Sequence, residues 1–229
     1  MLLLRPQPGA SASASRAREL GLEAVVAPLF TVRAVDWDPP EPGSIDAVLL
    51  TSANAAREAG PQIEPFLLLP CHTVGEATAS AARAAGFADV RTGSADGTAA
   101  IAGIAGERVL HLCGRDHLPL ERPGLVLERR IVYASDAVEA LPAKAAEALQ
   151  GGALVLIHSP RAGALFATLA DDSGVSRATV SVAAISDAAA AAAGAGWRSI
   201  ACADRPRDEA LLELARQLCQ TEAGRVRER

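Results

Sequence analysis

The chain has 229 residues, of which 50% are hydrophobic and 21% charged, and its formal net charge at pH 7 is −5. This composition excludes a disordered chain and is typical of a globular protein with one large domain or two small ones. The mildly acidic balance provides no positive surface for nucleic acid or an anionic membrane, so we expect neither as a partner.

No stretch reaches the roughly 18 consecutive apolar residues of a membrane span, and the N-terminus lacks the basic region of a secretory signal. The cysteines, at positions 71, 113, 202 and 219, lie far apart and form no CxxC pair. Such spacing favours reduced thiols over a disulfide framework or a zinc site. We therefore expect a cytoplasmic protein without a metal site.

Short apolar runs alternate with alanine-rich runs along the chain. The predicted strands are residues 2–4, 24–27, 47–51, 72–74, 89–91, 108–112, 131–133, 154–158, 180–185 and 199–202. The predicted helices are residues 11–20, 53–59, 76–85, 97–104, 138–149, 162–169, 187–193 and 208–218. Strands that alternate with helices indicate an α/β fold, in which helices cover both faces of parallel sheets.

An internal repeat relates two parts of the chain. Residues 48–56 (VLLTSANAA) are similar to residues 155–163 (VLIHSPRAG), and residues 73–92 are similar to residues 184–203. Both copies contain an apolar strand, a serine and a small-residue helix start. The repeat predicts two similar α/β lobes, Rossmann-like or flavodoxin-like, whose facing strand ends are the expected ligand site.

The strand–helix–strand unit at residues 2–28 has no counterpart inside the first copy of the repeat, so we assign it to the lobe of the second copy. The predicted domains are therefore a discontinuous first lobe of residues 1–33 plus 137–229, and a second lobe of residues 37–130. The chain would cross between them at residues 30–36 and 131–137. The proline-rich sequence WDPPEPG at 37–43 favours a linker after the first crossing.

The sequence lacks the motifs of several common enzyme classes. It contains no GxGxxG, GxxxxGK[ST] or GxSxG, so the usual dinucleotide site, triphosphate site and nucleophile elbow are missing. The histidines have no metal-ligand spacing, which favours roles in the core or at strand ends; they are His72, His111, His117 and His158.

Five predicted strand-to-helix turns are rich in small polar residues. They are TSAN at 51–54, VGEAT at 74–78, CGRD at 113–116, SPR at 159–161 and ISD at 185–187. Each would present backbone N–H groups at a helix N-terminus, where anions bind favourably. Ordinary helix capping explains any one of these turns. Together they predict a large ligand with several carboxylates or phosphates, to which Arg115 and Arg161 would add positive charge.

Tyr133 is the only tyrosine of the chain and lies at the end of a predicted strand, at the second crossing. One interpretation is a packing or hinge contact. The other is a phenol that donates a hydrogen bond or proton to a leaving group.

Several segments, in order, carry a family resemblance. They are LLLRP at 2–6, LGLEAVVAPLF at 20–30, DAVLLTSANAA at 46–56, TVGEATASAARAAGF at 73–87, VLHLCGRD at 109–116, VYAS at 132–135, VLIHSPRAG at 155–163, ISDAAAAA at 185–192 and DEALLELA at 208–215. In these segments the chain resembles the uroporphyrinogen-III synthase family of tetrapyrrole biosynthesis. The resemblance implies two α/β lobes joined by a two-stranded β ladder.

The resemblance also implies a reaction. A lyase of this kind cyclises linear hydroxymethylbilane, which carries eight carboxylates, with loss of water and inversion of ring D through a spiro-pyrrolenine. It implies neither a metal nor an organic cofactor. Because the bilane also cyclises unaided to the uninverted isomer, holding it in one conformation should matter more than acid–base chemistry.

By the same resemblance, Tyr133 is the candidate that assists departure of the hydroxyl group. The candidate substrate-binding residues are Thr51, Ser52, Asn54, Gly75, Thr78, Gly114, Arg115, Ser159, Arg161 and Ser186. Some family members have threonines where this chain has Ser186-Asp187-Ala188-Ala189, so a hydroxyl contact there must come from Ser186. Arg115 and Arg161 have a second interpretation, as surface or interlobe residues.

Two other functions stay open from the residues alone. One is a two-lobed protein that binds an anionic ligand without catalysis, and the other is a catalytically inactive homologue. For the enzyme we expect a monomer, with hand-over of hydroxymethylbilane from the preceding deaminase.

Overall fold

The computed structural model of the chain describes residues 1–93, 101–104 and 108–227, with side chains up to residue 221. Its strands are β1 (Leu2–Leu3), β2 (Val25–Val26), β3 (Phe30–Ala34), β4 (Ala47–Leu50), β5 (Cys71–Val74), β6 (Val90–Gly93), β7 (Arg108–Gly114), β8 (Val126–Ala137), β9 (Val155–Ile157), β10 (Ser181–Ala184) and β11 (Ser199–Cys202). Its α-helices are α1 (Gly9–Glu19), α2 (Ala53–Glu58), α3 (Glu76–Ala84), α4 (Ala143–Gln150), α5 (Pro160–Asp172), α6 (Asp187–Ala193) and α7 (Asp208–Arg227). Short 3₁₀ turns lie at Pro42–Ser44, Pro61–Phe66 and Arg177–Thr179.

The strands form two sheets. One has the order β11-β10-β9-β1-β2, and its neighbouring strands are parallel. The other has the order β3-β8-β7-β4-β5-β6 and is parallel from β8 to β6. The predicted α/β fold with two parallel sheets is confirmed.

β3 runs antiparallel to β8 at the edge of the six-stranded sheet. The Val35 N–H donates to the Val132 carbonyl at 2.9 Å, and the Val138 N–H donates to the Leu29 carbonyl at 3.0 Å. The bonds pair residue 35 with residue 132 and residue 29 with residue 138, so the two strands run in opposite directions.

The chain divides into two compact units, one of Met1–Thr31 with Ala137–Arg229 and the other of Val32–Asp136. The first contains the five-stranded sheet, and the second contains most of the six-stranded sheet. Both passages of the chain from one unit to the other lie in strands, the first in β3 and the second in β8.

Apolar side chains cover both faces of each sheet. Successive residues of a strand point to opposite faces, so Leu2 and Leu4 pack in one cluster of the first unit while Leu3 packs in another. In the second unit, Val48 and Leu50 join one cluster. Ala47 and Leu49 join the cluster on the opposite face. Because both faces of each sheet are buried, the strand sequences are continuous apolar runs.

Small residues allow α5 and α6 to pack closely. A Cβ atom added at Gly163 of α5 would lie 2.7 Å from the carbonyl oxygen of Ala189 in α6, and 3.1 Å from the amide nitrogen of Ala193. Only glycine fits such an approach, and the alanine-rich sequence of α6 provides the facing surface. The two helices therefore hold their N-termini side by side.

Two predicted elements around the second crossing differ from the structure. The helix predicted at 138–149 begins only at Ala143, because β8 continues to Ala137 and Pro142 disfavours a helical conformation at the preceding residue. The strand predicted at 131–133 is twelve residues long. The helix predicted at 97–104 lies mostly outside the described residues. In the linker predicted at 37–43, Trp37 is buried and its indole N–H donates to the Ala59 carbonyl at 2.7 Å, so this stretch is anchored.

Candidate functional site

Four candidate residues of the second unit lie where parallel strands end. Thr51 and Ser52 follow β4, Gly75 follows β5 and Gly114 ends β7. These three strands are neighbours in the order β7-β4-β5, so their carboxyl ends share one edge of the sheet. This is the edge at which open α/β sheets bind ligands.

Ser52 is the N-cap of α2. Its Oγ accepts a hydrogen bond from the Asn54 N–H at 3.2 Å, and Asn54 Oδ1 accepts one from Arg57 at 3.2 Å. Ser52 therefore has the role of an ordinary helix cap. The cap uses the oxygen as an acceptor, while the hydroxyl proton is a donor available for a further contact.

Gly75 and Thr78 differ in accessibility. Gly75 has φ of 76°, in the left-handed region that favours glycine, and a Cβ added there would meet nothing within 4 Å. The space beside the Cα atom of Gly75, just before α3, is therefore open. Thr78 lies within α3 and is 5% exposed, so its side chain packs mainly in the interior.

The ring of Tyr133 lies directly over Gly114. A Cβ added at Gly114 would lie 2.5 Å from Cζ of Tyr133 and 2.8 Å from its hydroxyl oxygen. The two residues are register partners at an irregularity between Cys113 and Gly114, and the Arg115 N–H donates to the Tyr133 carbonyl at 3.0 Å. The half-buried phenol therefore fits only because residue 114 has no side chain. It lies at the same sheet edge as Thr51.

The helix start predicted after CGRD at 113–116 is wrong, because β7 is followed by β8 with no helix in residues 115–125. Arg115, in this connection, forms an ion pair. Its Nη1 lies 3.2 Å from Asp136 Oδ1, and Arg33 Nε lies 2.5 Å from the other carboxylate oxygen. The hydrogen bond from Arg33, aided by the charges of both arginines, lowers the pKa of Asp136 below its ordinary value. One carboxylate thus contacts two guanidinium groups. Each guanidinium has five N–H donors, so both arginines have further donors besides those that contact Asp136.

The first unit has an equivalent edge. Ser159 follows β9 and caps α5, with its Oγ accepting from the Ala162 N–H at 3.1 Å. Ser186 follows β10 and caps α6, with its Oγ accepting from the Ala189 N–H at 3.3 Å. Because β9 and β10 are parallel neighbours, the two caps lie at the same edge of their sheet.

Arg161 lies in the first turn of α5, next to the Ser159 cap. Its guanidinium carbon is 4.5 Å from the centroid of the Phe30 ring. This cation–π contact orients a positive charge near the helix N-terminus.

A polar cluster that no sequence pattern predicted surrounds Asp208, the first residue of α7. Asp208 Oδ1 accepts from Ser13 Oγ at 2.7 Å, from His158 Nε2 at 2.9 Å and from Arg5 Nη1 at 3.1 Å, and Oδ2 accepts from Arg16. Burial by itself raises the pKa of Asp208. The hydrogen bonds from His158 and Ser13, with the charge of Arg5, outweigh burial and hold this pKa well below its ordinary range.

A second missed contact links Thr51 to a histidine. His111 in β7 is 1% exposed, and its Nε2 lies 3.2 Å from Thr51 Oγ1. The sequence placed His111 on a strand but gave no signal for its partner, which is 60 residues away.

No group of three histidine, cysteine, aspartate or glutamate side chains suited to a metal ion lies in the part of the chain that the structure describes. Among the helices described, none combines the length and apolar character that crossing a membrane requires. The cysteines at 71, 113, 202 and 219 all lie within the described residues and form no disulfide there. Burial raises the pKa of Cys71 to about 12 and that of Cys113 to about 11.

Comparison with known proteins identifies the family. A family model described as uroporphyrinogen-III synthase HemD matches residues 11–213. The crystal structure of uroporphyrinogen-III synthetase from Helicobacter pylori matches with a TM-score of 0.62 at 17% identity, covering 86% of this chain and 93% of that one. A mutant uroporphyrinogen III synthase from Thermus thermophilus matches with a TM-score of 0.53 at 16% identity, covering 96% of this chain and 98% of that one.

The two structural matches show a shared fold. A comparison with curated proteins gave no match. Since the family model covers most of the sequence, the chain belongs to the uroporphyrinogen-III synthase family.

Proposed function

We propose that the chain converts hydroxymethylbilane to uroporphyrinogen III, with loss of water and inversion of ring D through a spiro-pyrrolenine. Membership of the family makes it an enzyme of tetrapyrrole biosynthesis. The observation that carries the finer proposal is the placement of hydrogen-bond donors at the carboxyl edge of each parallel sheet. A substrate with eight carboxylates needs many such donors.

The donors are of three kinds. Ser52, Ser159 and Ser186 each use a side-chain oxygen to cap a helix, which leaves the hydroxyl proton for a carboxylate. The helix N-termini behind them favour anions. Arg115 and Arg161 supply positive charge, and we propose that both contact substrate carboxylates.

The remaining predicted binding residues differ in how well they can reach a substrate. Thr51 and Asn54 belong to the turn after β4, and Gly75 precedes α3 with open space where a Cβ would lie. Gly114 admits the Tyr133 ring. Thr78 is a proposed contact with limited access, because it is 5% exposed.

Tyr133 is the proposed catalytic residue. When the bond between the hydroxymethyl carbon and its oxygen breaks, the electron pair leaves with the oxygen, and a proton from the phenol lets it depart as water. The azafulvene cation that forms is attacked by the substituted carbon of ring D to give the spiro intermediate. Fragmentation and reclosure turn ring D over, and the proton released on aromatisation balances the one the phenol gave up.

Positioning should supply most of the rate enhancement. The substrate reacts without a catalyst to give the uninverted isomer, so the protein must favour one folded conformation of the bilane. Rigid donors at strand ends suit that task because the sheets hold them in place.

The test is an isomer analysis. Hydroxymethylbilane is generated in situ by the preceding deaminase, the purified chain is added, and the products are oxidised and separated as uroporphyrin isomers. We expect isomer III above the control without enzyme. Isomer I alone, from folded protein, would reject the synthase and favour a protein that binds an anionic ligand without catalysis.

A further inference from the structure

His111 is a buried polar residue that the proposed mechanism does not use. It lies on the sheet face covered by the cluster of Ala47, Leu49 and Val109, and Leu49 is its register partner on β4. Its Nε2 lies 3.2 Å from Thr51 Oγ1. Its Nδ1 is fully buried and has no hydrogen-bond partner among the residues that the structure describes.

The imidazole of His111 is neutral at physiological pH. Burial, reinforced by the charge of Arg129 and by the proximity of His117, lowers the pKa of His111 to about 4. Arg129 is its register partner on β8, and the ring of His117 lies edge-on at 6.3 Å. A neutral imidazole has one N–H donor and one lone pair, so the position of the single proton decides the role of each nitrogen.

The surroundings of the ring favour the proton on Nε2. A proton on Nδ1 would create a buried N–H without an acceptor, which costs the full desolvation of that donor. Buried N–H groups without an acceptor are rarer than acceptors left unfilled. With the proton on Nε2, the ring donates to Thr51 Oγ1, and only the lone pair of Nδ1 lacks a partner.

This tautomer determines what Thr51 can do. A hydroxyl group has one proton to donate and two lone pairs that accept. If the oxygen of Thr51 accepts from His111, its proton does not point toward the ring. It is then available at the carboxyl edge of β4, where the proposed substrate contacts lie.

We propose that His111 is a positioning residue that donates from Nε2 to Thr51 Oγ1 and so commits the Thr51 hydroxyl to donate to a substrate carboxylate. The proposal rests on the proposed function, because the function supplies the carboxylate. Its first half concerns only the ligand-free protein and is testable separately.

The first experiment is NMR of the ligand-free full chain with ¹⁵N-labelled histidine, with signals assigned by comparison with His111→Gln. We expect a pyrrole-type signal for Nε2 of His111 and a pyridine-type signal for Nδ1, both constant from about pH 8 down to about pH 5. The reverse assignment, or a doubly protonated ring at neutral pH, would overturn the proposal.

The second experiment measures steady-state kinetics with hydroxymethylbilane. His111→Leu removes the donor and should raise KM about tenfold while changing kcat little, and Thr51→Val should do the same. His111→Gln places an amide N–H at similar reach and should restore KM to within about threefold of the unmodified chain. His72→Leu is the matched control, because His72 is a buried histidine of the same sheet, on β5, and its Nε2 has no partner in the described structure.

A double-variant cycle completes the test. His111→Leu combined with Thr51→Val should raise KM no more than either change alone, since both remove the same interaction. Additive effects, or equal KM values for His111→Gln and His111→Leu, would refute the positioning role. If the unmodified chain yields only isomer I, the proposed function fails while the NMR result still decides the tautomer.

Discussion

The contact between Tyr133 and Gly114 allows a test of the catalytic proposal that leaves packing intact. In Tyr133→Phe the ring keeps its place over Gly114 and its contacts with the apolar cluster around Leu110 and Leu112. Loss of the phenolic proton donor should lower kcat about 100-fold, the lower end of the range for general acid catalysis. Single-turnover formation of isomer III measures this effect. In thermal unfolding, the free energy of unfolding should change by less than about 1 kcal/mol. An unchanged kcat would mean that Tyr133 only packs.

Gly114 should be intolerant of even one added carbon. Gly114→Ala brings its Cβ within 2.5 Å of the Tyr133 ring, so the ring must move. We expect a loss of about 1–3 kcal/mol in the free energy of unfolding, as for overpacked cores, together with loss of activity. Gly43→Ala is the matched control, because a Cβ there meets nothing within 4 Å. Equal stabilities for the two variants, measured by urea unfolding, would contradict this account.

Asp208 connects four elements of the first unit. Its partners lie after β1, in α1 and after β9, and Asp208 itself begins α7. Its side chain is 10% exposed and carries at least two arginine contacts. Removing one member of a buried ion pair is strongly destabilising, because the remaining charges lose their counterpart.

Asp208→Asn should therefore lower the free energy of unfolding at pH 7 by about 3 kcal/mol. The pKa of Asp208 is lowered in the folded state, so its stabilising contribution is complete above about pH 5 and is lost as pH falls through about 4 and below. Urea unfolding of both proteins across this range should show a difference that shrinks in acid. Glu209→Gln is the control, since Glu209 is 68% exposed and lies 3.7 Å from Arg16. A difference independent of pH would argue against this linkage.

At the scale of elements, the local sequence pattern predicted features that depend only on nearby residues, such as helix bounds and helix caps. The helix at 187–193 and the strand at 199–202 have the predicted bounds, and the serine caps of α2, α5 and α6 follow from serine at strand-to-helix turns. β8 was predicted too short because charged residues interrupt its apolar pattern, as in the ERR sequence at 128–130. The Asp208 cluster and the His111–Thr51 contact join residues far apart in sequence. Such pairs leave no periodic signal, so only the folded chain reveals them.

For the whole molecule, the sequence repeat corresponds to repeated structure. Ser52 and Ser159 occupy equivalent repeat positions, and each caps the helix after a central strand. Gly75 and Ser186 are likewise equivalent, and both are N-caps, of α3 and α6. The same supersecondary unit thus places candidate site residues at the carboxyl edge of each sheet. The residues between them have diverged, and Arg161 stands where the first copy has Asn54.

Each compact unit contains one of the two tryptophans of the chain, so fluorescence can follow the units separately. Trp37 packs in the cluster of the Val32–Asp136 unit, and Trp197 stacks on Phe166 in the other unit. Because each unit has apolar clusters of its own, we expect them to unfold as separate cooperative transitions.

Asp208→Asn is the perturbation that distinguishes separate from joint unfolding. In a Trp37→Phe background, where Trp197 alone reports, it should lower the urea midpoint of the first unit. In a Trp197→Phe background, where Trp37 alone reports, the midpoint should stay within error of its parent. Equal shifts in both backgrounds would show one cooperative molecule. Separate shifts would mean that a substitution in one unit leaves the stability of the other unit's site intact, which makes kinetic effects of single substitutions assignable to the unit that carries them.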